Sequence, residues 1–335
     1  MKKIILIFIC ISMLVCMPAC KKNDEASKES KGIIPESVSL HKTDVLRGKK
    51  LGCSIVFKGD EWCSTLADAL EALAHYYGAE LTCEDGDQND ETQSKQINNM
   101  VVSNCDMVFV DPVSPNGSTE ALNNAYNAGI PILIFDSEWV ETEEKAFTCV
   151  TWDQYETGVI TANYFLDYIR RNGKQNCSIV ELAIAVSVHC QDRYRGLHDT
   201  LAKADDCNIS FIGPFDTQGN REIAYNIISA MSIPYDFVIS DIDNGAMGAA
   251  ASLTTRAKKD IKVFSMGGYG DEPFEMLRDN DDNYIACLNV DAWKLAELII
   301  DNAIKYFNGE EVPKQTLLEP VIVDKDNVGK YWNFD

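Results

Sequence analysis

The chain has 335 residues, with 52 Asp and Glu against 30 Lys and Arg, a formal net charge of −22; 46% of residues are hydrophobic and 24% charged. Such a composition excludes a disordered or fibrous chain, and the acidic excess repels phosphate backbones, which argues against nucleic acid as a partner. The length exceeds the roughly 250–300 residues at which one core divides, so two lobes are expected.

The N-terminus opens Met1-Lys2-Lys3, runs apolar from Ile4 to Val15 and reaches Ala19-Cys20. A basic start, a short apolar stretch and a small residue predict a secretory signal over 1–19. The stretch is shorter than the about 20 residues of a membrane span. Met17-Pro18-Ala19-Cys20 resembles a bacterial lipobox, although Met17 and Pro18 depart from its usual residues. Lipidation of Cys20 is therefore expected, with the membrane reached only through that lipid. Polar residues dominate 20–46, which reads as the lipidated Cys and a flexible tether.

From Leu51 onward, short apolar runs alternate with segments of helical period. The run 51–57 predicts a strand. Within 61–77, Leu66, Leu70, Leu73 and Tyr77 recur on one face and predict a helix closed by Gly78. A strand at 79–83, a helix at 91–102, a strand at 106–110, a helix at 118–128 and strands at 130–135 and 147–151 follow. A helix at 153–171, ended by Asn172-Gly173, opens a second batch. It continues as strand 177–182, helix 191–204, strand 209–215, helix 221–231, strand 237–240 and helix 245–255. Strand 261–266, short helix 273–278, strand 284–288 and helix 292–307 complete it. Alternation of this kind predicts an α/β chain of two doubly wound lobes with parallel sheets covered by helices. In such sheets ligands bind beyond the carboxyl ends of the strands, which places a site between the lobes.

Twelve cysteines are present. Removing Cys10, Cys16 and Cys20 leaves nine, an odd number, with no Cys-x-x-Cys or other close metal spacing. Cys53 and Cys287 lie inside strand-like runs. Buried thiols acting as small hydrophobes are expected, with one or two bridges left open. Gly267-Gly268-Tyr269-Gly270 lacks the Lys-Ser/Thr ending of a phosphate cradle. The run Asp279-Asn280-Asp281-Asp282-Asn283 lacks the central Gly and closing Glu of an EF-hand loop and reads as a solvated turn. No cofactor and no metal are expected. The four histidines (His41, His75, His189 and His198) form no nucleophile constellation, and paired carboxylates alone do not make a glycosidase, so no enzyme is expected.

Residues 49–312 resemble the sugar-binding proteins of ABC transporters, the ribose- and galactose-binding type of periplasmic binding protein. The resemblance is carried by segments in order: 51–57 with Asp60-Glu61-Trp62, then Gly78-Ala79-Glu80-Leu81, then Asp87-Gln88-Asn89-Asp90 followed by Gln93 and Gln96-Ile97. Val110-Asp111-Pro112, Ala128-Gly129-Ile130-Pro131-Ile132 and Phe135-Asp136 come next. Asp153-Gln154-Tyr155-Glu156-Thr157-Gly158, Arg193 with Gly196, and Asp243 with Gly245-Ala246-Met247-Gly248-Ala249 follow. The resemblance implies a type 1 fold of two lobes joined by a three-segment hinge. It divides the chain into an N-terminal lobe, 47–152 plus 290–312, and a C-terminal lobe, 153–289 plus 313–335.

The same resemblance implies ligand contacts. Trp62 stands where the family stacks an aromatic on the sugar, and Asp60 where it has Asn or Asp. Asp136 matches the aspartate that accepts sugar hydroxyls; the family's following Arg is Ser137 here, with Trp139 nearby. Asp153 reads as a helix cap, while Gln154 faces either role. Arg193 matches the arginine that reaches the ligand from the second lobe, and Phe215 ends a strand at a cleft-facing aromatic position. Ile242, flanked by Asp241 and Asp243, replaces the family's Asn. Gly267 replaces an aspartate, with Tyr269 or Asp271 as substitutes. Asn289 or Asp291 stands for the family's glutamine, near Trp293. The implied function is capture of a monosaccharide or similar polyol outside the cytoplasm and delivery to an ABC permease, by a monomer. The alternative is a sensor of the same fold, reporting a sugar, nucleoside or signalling furanose to a receptor or histidine kinase. No helix-turn-helix precedes the core, unlike the related lactose-repressor family.

Overall fold

The computed structural model describes residues 34–59, 61–136 and 145–332. The chain order is β1 (Lys50–Ile55), α1 (Glu61–Tyr76), β2 (Glu80–Asp85), α2 (Asp90–Val102), β3 (Met107–Val110), α3 (Thr119–Asn127), β4 (Ile132–Phe135) and β5 (Thr148–Thr151). It continues with α4 (Gln154–Arg171), β6 (Asn176–Ala183), α5 (Val188–Leu201), β7 (Asn208–Asp216), α6 (Arg221–Ala230), β8 (Phe237–Ser240) and α7 (Asp243–Thr255). Then come β9 (Lys262–Ser265), α8 (Asp271–Arg278), β10 (Tyr284–Asn289), α9 (Ala292–Asn308), β11 (Gln315–Leu317) and β12 (Val321–Asp324).

The strands form two sheets. The first runs β11-β5-β4-β3-β1-β2 and is parallel throughout. The second runs β12-β10-β9-β8-β6-β7 and is parallel except for β12, which is antiparallel to β10. This is the doubly wound α/β architecture of two lobes, each with strand order reversing beside its first strand. The chain passes between the sheets three times, at 152–153, 290–291 and 318–320. The central strands β3, β4 and β8 are buried at every position, as strands covered on both faces must be.

Caps explain the helix starts. The Ser187 side chain accepts from the N–H of Cys190, so α5 begins at Val188, earlier than its apolar periodicity indicates. Asp153 caps α4 by accepting from Glu156, the structural role read for it. Asp281 accepts the N–H groups of Asn283 and Tyr284, making 279–283 a self-satisfied turn. Among the described residues, seven cysteines, at 53, 63, 83, 105, 177, 190 and 287, are buried.

Two boundaries are corrected. The expected tether to residue 46 ends earlier, because 34–46 is part of the first lobe: Val38 and Leu46 are buried in its core. The His41 N–H donates to the Tyr77 hydroxyl at 2.9 Å, and the Ser39 N–H to Glu297 at 3.1 Å. The expected passage to the second lobe at 313 is also too early. Residues 315–317 pair with β5, so the last crossing follows Leu317. Both segments are too short or too polar for periodicity to register. The signal and Cys20 lie outside the described residues.

Helices α4 and α5 approach until their backbones touch. A Cβ at Gly158 would collide with the Arg193 carbonyl, and one at Gly196 with that of Tyr155. These reciprocal glycines set the distance between the two helices that carry Gln154 and Arg193.

Leu46→Ala is expected to lower unfolding free energy by about 2–5 kcal/mol in urea titration, as a buried Leu does and a tether residue does not. Gly158→Ala should lower it by about 1–3 kcal/mol or more, since neither backbone can yield without moving a helix.

Candidate functional site

Every strand of a parallel sheet ends at the same edge, so the loops leaving the two sheets converge. Between them lies a cleft of about 820 Å³. Its first wall is built from residues just past strand ends: Val56 after β1, Asp136 after β4 and Trp152 after β5, with Gln88 and Val113 from the loops after β2 and β3. The second wall is built the same way from Ile184 after β6, Ile242 and Asp243 after β8, and Gly267 after β9. Val290, in the second crossing, closes the base.

On the first wall, Glu61, Trp62 and Cys63 of α1 face the cleft. The Trp62 Nε1–H donates to the Val290 carbonyl at 2.7 Å, which ties α1 to a crossing segment. Its ring meets Trp152 edge-on, with centroids 5.6 Å apart and planes at 67°. Trp152 is 4% exposed, and its Nε1–H has no partner among the described residues. Asp136 adopts φ +61°, a left-handed conformation that few non-glycine residues take. Its N–H donates to Val150 and its carbonyl accepts from the Thr151 hydroxyl, so β5 holds it there. Beneath this wall, Gln93 donates to the Asp111 carbonyl at 2.8 Å and accepts from the Val113 N–H at 3.0 Å. Gln96 donates to the Asp85 carbonyl at 2.6 Å. These amides satisfy the backbone of loops that leave the sheet.

On the second wall, Arg193 is 8% exposed. Its Nε donates to Gln154 Oε1 at 2.8 Å and its Nη1 to the Asp241 carbonyl at 2.7 Å. Gly267 lies against this guanidinium. Asp241 is fully buried beside it; burial pushes its carboxyl up, and the Ile184 N–H and Arg193 oppose that rise. Burial pushes the Cys190 thiol up to about 12, so it stays protonated at neutral pH. Burial, then the neighbouring Arg193 charge, holds His189 below the usual imidazole range, so it is neutral there. Arg221 and Glu272 form a two-point ion pair at 2.6 and 2.7 Å. Tyr269 is buried, which pushes its hydroxyl up, and meets Trp332 edge-on at 5.3 Å.

Of the residues expected from sequence, Trp62, Asp136, Arg193, Asp243 and Tyr269 come together in this cleft. Three do not line it. Gln154 is buried behind the wall with its Oε1 engaged by Arg193. Asn289 is buried at the end of β10. Phe215 packs against the second lobe's core, because β7 is an edge strand and its side chain turns onto that core rather than toward the cleft. Asp60, Ser137 and Trp139 lie outside the described residues. Sequence reasoning missed Glu61, Trp152, His189, Arg221 and Glu272. Glu61 and Trp152 each adjoin a segment already singled out, whereas the Arg221–Glu272 pair joins residues 51 apart and leaves no local pattern.

The lobes also touch directly. The Asp271 N–H, opening α8, donates to Glu61 Oε1 at 3.2 Å, and Tyr269 packs with the apolar cluster of the first lobe. No helix among the described residues is long and apolar enough to cross a membrane.

Residues 51–311 match the family model of the periplasmic binding protein domain. The galactofuranose-binding protein of Escherichia coli K12 is 26% identical over 243 residues, spanning 70% of this chain and 75% of its own length. Among solved structures, the binding protein of the arabinose ABC transporter from Shewanella sp. ANA-3, bound to L-arabinofuranose, superposes with a TM-score of 0.75 at 21% identity, over 84% of this chain and 94% of that one. A solute-binding protein from Bacillus halodurans C-125 with bound myo-inositol gives 0.74 at 20%, over 85% and 97%. Two sheets joined by three crossings, a cleft at their carboxyl edges and a family match across 51–311 agree: the chain belongs to the periplasmic binding protein family, with the type 1 fold, whose members are extracytoplasmic substrate-binding proteins rather than enzymes.

Proposed function

We propose that this chain is an extracytoplasmic lipoprotein that captures a monosaccharide or similar polyol between its lobes and delivers it to an ABC permease. The observation that carries the reading is one cleft holding two indoles, Trp62 and Trp152, together with Asp136, Asp243 and Arg193. A sugar presents hydroxyls that both donate and accept, and ring faces of C–H. Carboxylates, a guanidinium and aromatic rings match those features in turn. The buried Trp152 Nε1–H, which lines the cleft and has no partner among the described residues, favours a guest or solvent that supplies an acceptor there. The names of the relatives, for galactofuranose and L-arabinofuranose, point to the same class.

In this reading the three crossings are the hinge, and the lobes close on the guest about them. Glu61 and Tyr269 meet the opposite lobe and act as closing contacts. The closed form is what a permease would recognise. Lipid on Cys20 holds the protein at the membrane, and the protein works as a monomer.

A thermal-shift screen of the purified full chain against sugars, polyols and nucleosides is expected to give a saturable rise in Tm for one class, since binding to the native state stabilises it. Micromolar affinity, about −8 kcal/mol, is the expected scale. Asp136→Asn, which keeps a side chain suited to the left-handed conformation, should weaken binding about tenfold or more while leaving the unliganded Tm unchanged; undiminished affinity refutes its role. Cys20→Ser is expected to move the protein from the membrane fraction to the soluble one, and retention at the membrane refutes the lipid anchor.

A further inference from the structure

We propose that Trp152 is the specificity-determining donor of the cleft: its indole N–H takes an oxygen of the guest, and a guest without an oxygen at that point is rejected. This rests on the reading of the cleft as a sugar site and assigns one residue to one of the guest's oxygens.

Among the described residues two indoles line the cleft, and they differ in one respect. The Trp62 N–H is spent on the Val290 carbonyl at 2.7 Å, so that ring offers a guest its face and edge alone. The Trp152 N–H is buried and has no acceptor among the described residues. An indole donates and never accepts, so only an acceptor satisfies it. Leaving a buried donor unpaired costs the full desolvation of that group, which is more than a made bond gains. A hydroxyl, a ring oxygen or a carbonyl oxygen answers this donor, whereas a methylene or an ammonium group leaves it unpaired.

The donor is also fixed in place. Trp152 follows β5, which pairs with β4 on one side and β11 on the other. Just before it, Thr151 is held twice. Its hydroxyl donates to the Asp136 carbonyl at 3.2 Å, and its own carbonyl accepts from the Leu318 N–H at 2.8 Å. Just after it, Asp153 caps α4. The ring packs in the first lobe's core and meets Trp62 edge-on at 5.6 Å. A donor held this way does not follow an ill-placed acceptor; it selects the guest that brings an oxygen to it. Trp152 also begins the first crossing, so a guest reaches the N–H as the lobes part, and their closure shuts the bond from water.

The test is calorimetric titration of the purified full chain, wild type and Trp152→Phe, with L-arabinose, D-galactose, D-ribose and myo-inositol and with derivatives that each lack one oxygen. Alongside it, the indole N–H resonances of the wild type are followed by heteronuclear NMR. They are assigned through the backbone, a measurement that does not require the variant to fold. The expected result is that a parent binds, that its affinity falls about tenfold or more in the variant, and that one derivative loses about as much in the wild type. In the variant that derivative binds as well as its parent, the non-additivity of two partners in one bond. The Trp152 resonance moves downfield on binding, while that of Trp62, already bonded, moves less. A parent that binds both proteins equally, derivative losses that all add to that of the variant, or a Trp152 resonance that stays in place overturns the assignment of Trp152 and leaves the sugar site standing. No binding by any parent overturns both.

Discussion

Parallel pairing is the constraint from which the rest of this molecule follows. Strands that all run one way must end at one edge, and their loops must leave there together. Two such sheets, joined by three short crossings, bring two sets of loops to one cleft. Asp136, Trp152, Ile184, Asp243 and Gly267 are far apart in sequence, and each lies one to three residues past the end of a strand. These five cleft residues need no special loops to reach each other. They need only be the first residues after the sheet stops.

Within that frame, the second wall depends on how a buried arginine is held. A guanidinium removed from water must have its donors satisfied. Here Gln154 and the Asp241 carbonyl satisfy Arg193 at 2.8 and 2.7 Å. That geometry needs α4 and α5 in backbone contact, which Gly158 and Gly196 allow. Gln154, which the resemblance offered as a ligand contact, thus holds the Arg193 guanidinium in place. The first wall shows the same division of labour. Gln93 and Gln96 never reach the cleft, yet they pin the loops that form its edge.

Where single elements are strong, reading the chain and observing it agree. The stripe Leu66, Leu70, Leu73 marks α1, and all three are fully or almost fully buried. Asp153 was legible as a cap because an acidic residue before a helical period has a local job. Phe215 misled because an aromatic at a strand end is compatible with either cleft or core, and only the edge position of β7 decides. The segment 34–46 misled because scattered apolar residues without period look like tether. Leu46 nonetheless drops into a pocket of the first lobe that no local pattern announces.

Strand and helix periods and glycine and acidic caps are properties of neighbouring residues, so the chain alone determined the α/β class and the two lobes, while Trp62, Asp136, Arg193 and Asp243 were legible through resemblance to a family pattern. The crossing after Leu317, the docking of 34–46, the Arg221–Glu272 pair and the capture of Gln154 by Arg193 arise between residues remote in sequence. They depend on the distances at which whole helices and sheets come to rest, and only the packed tertiary structure decides those.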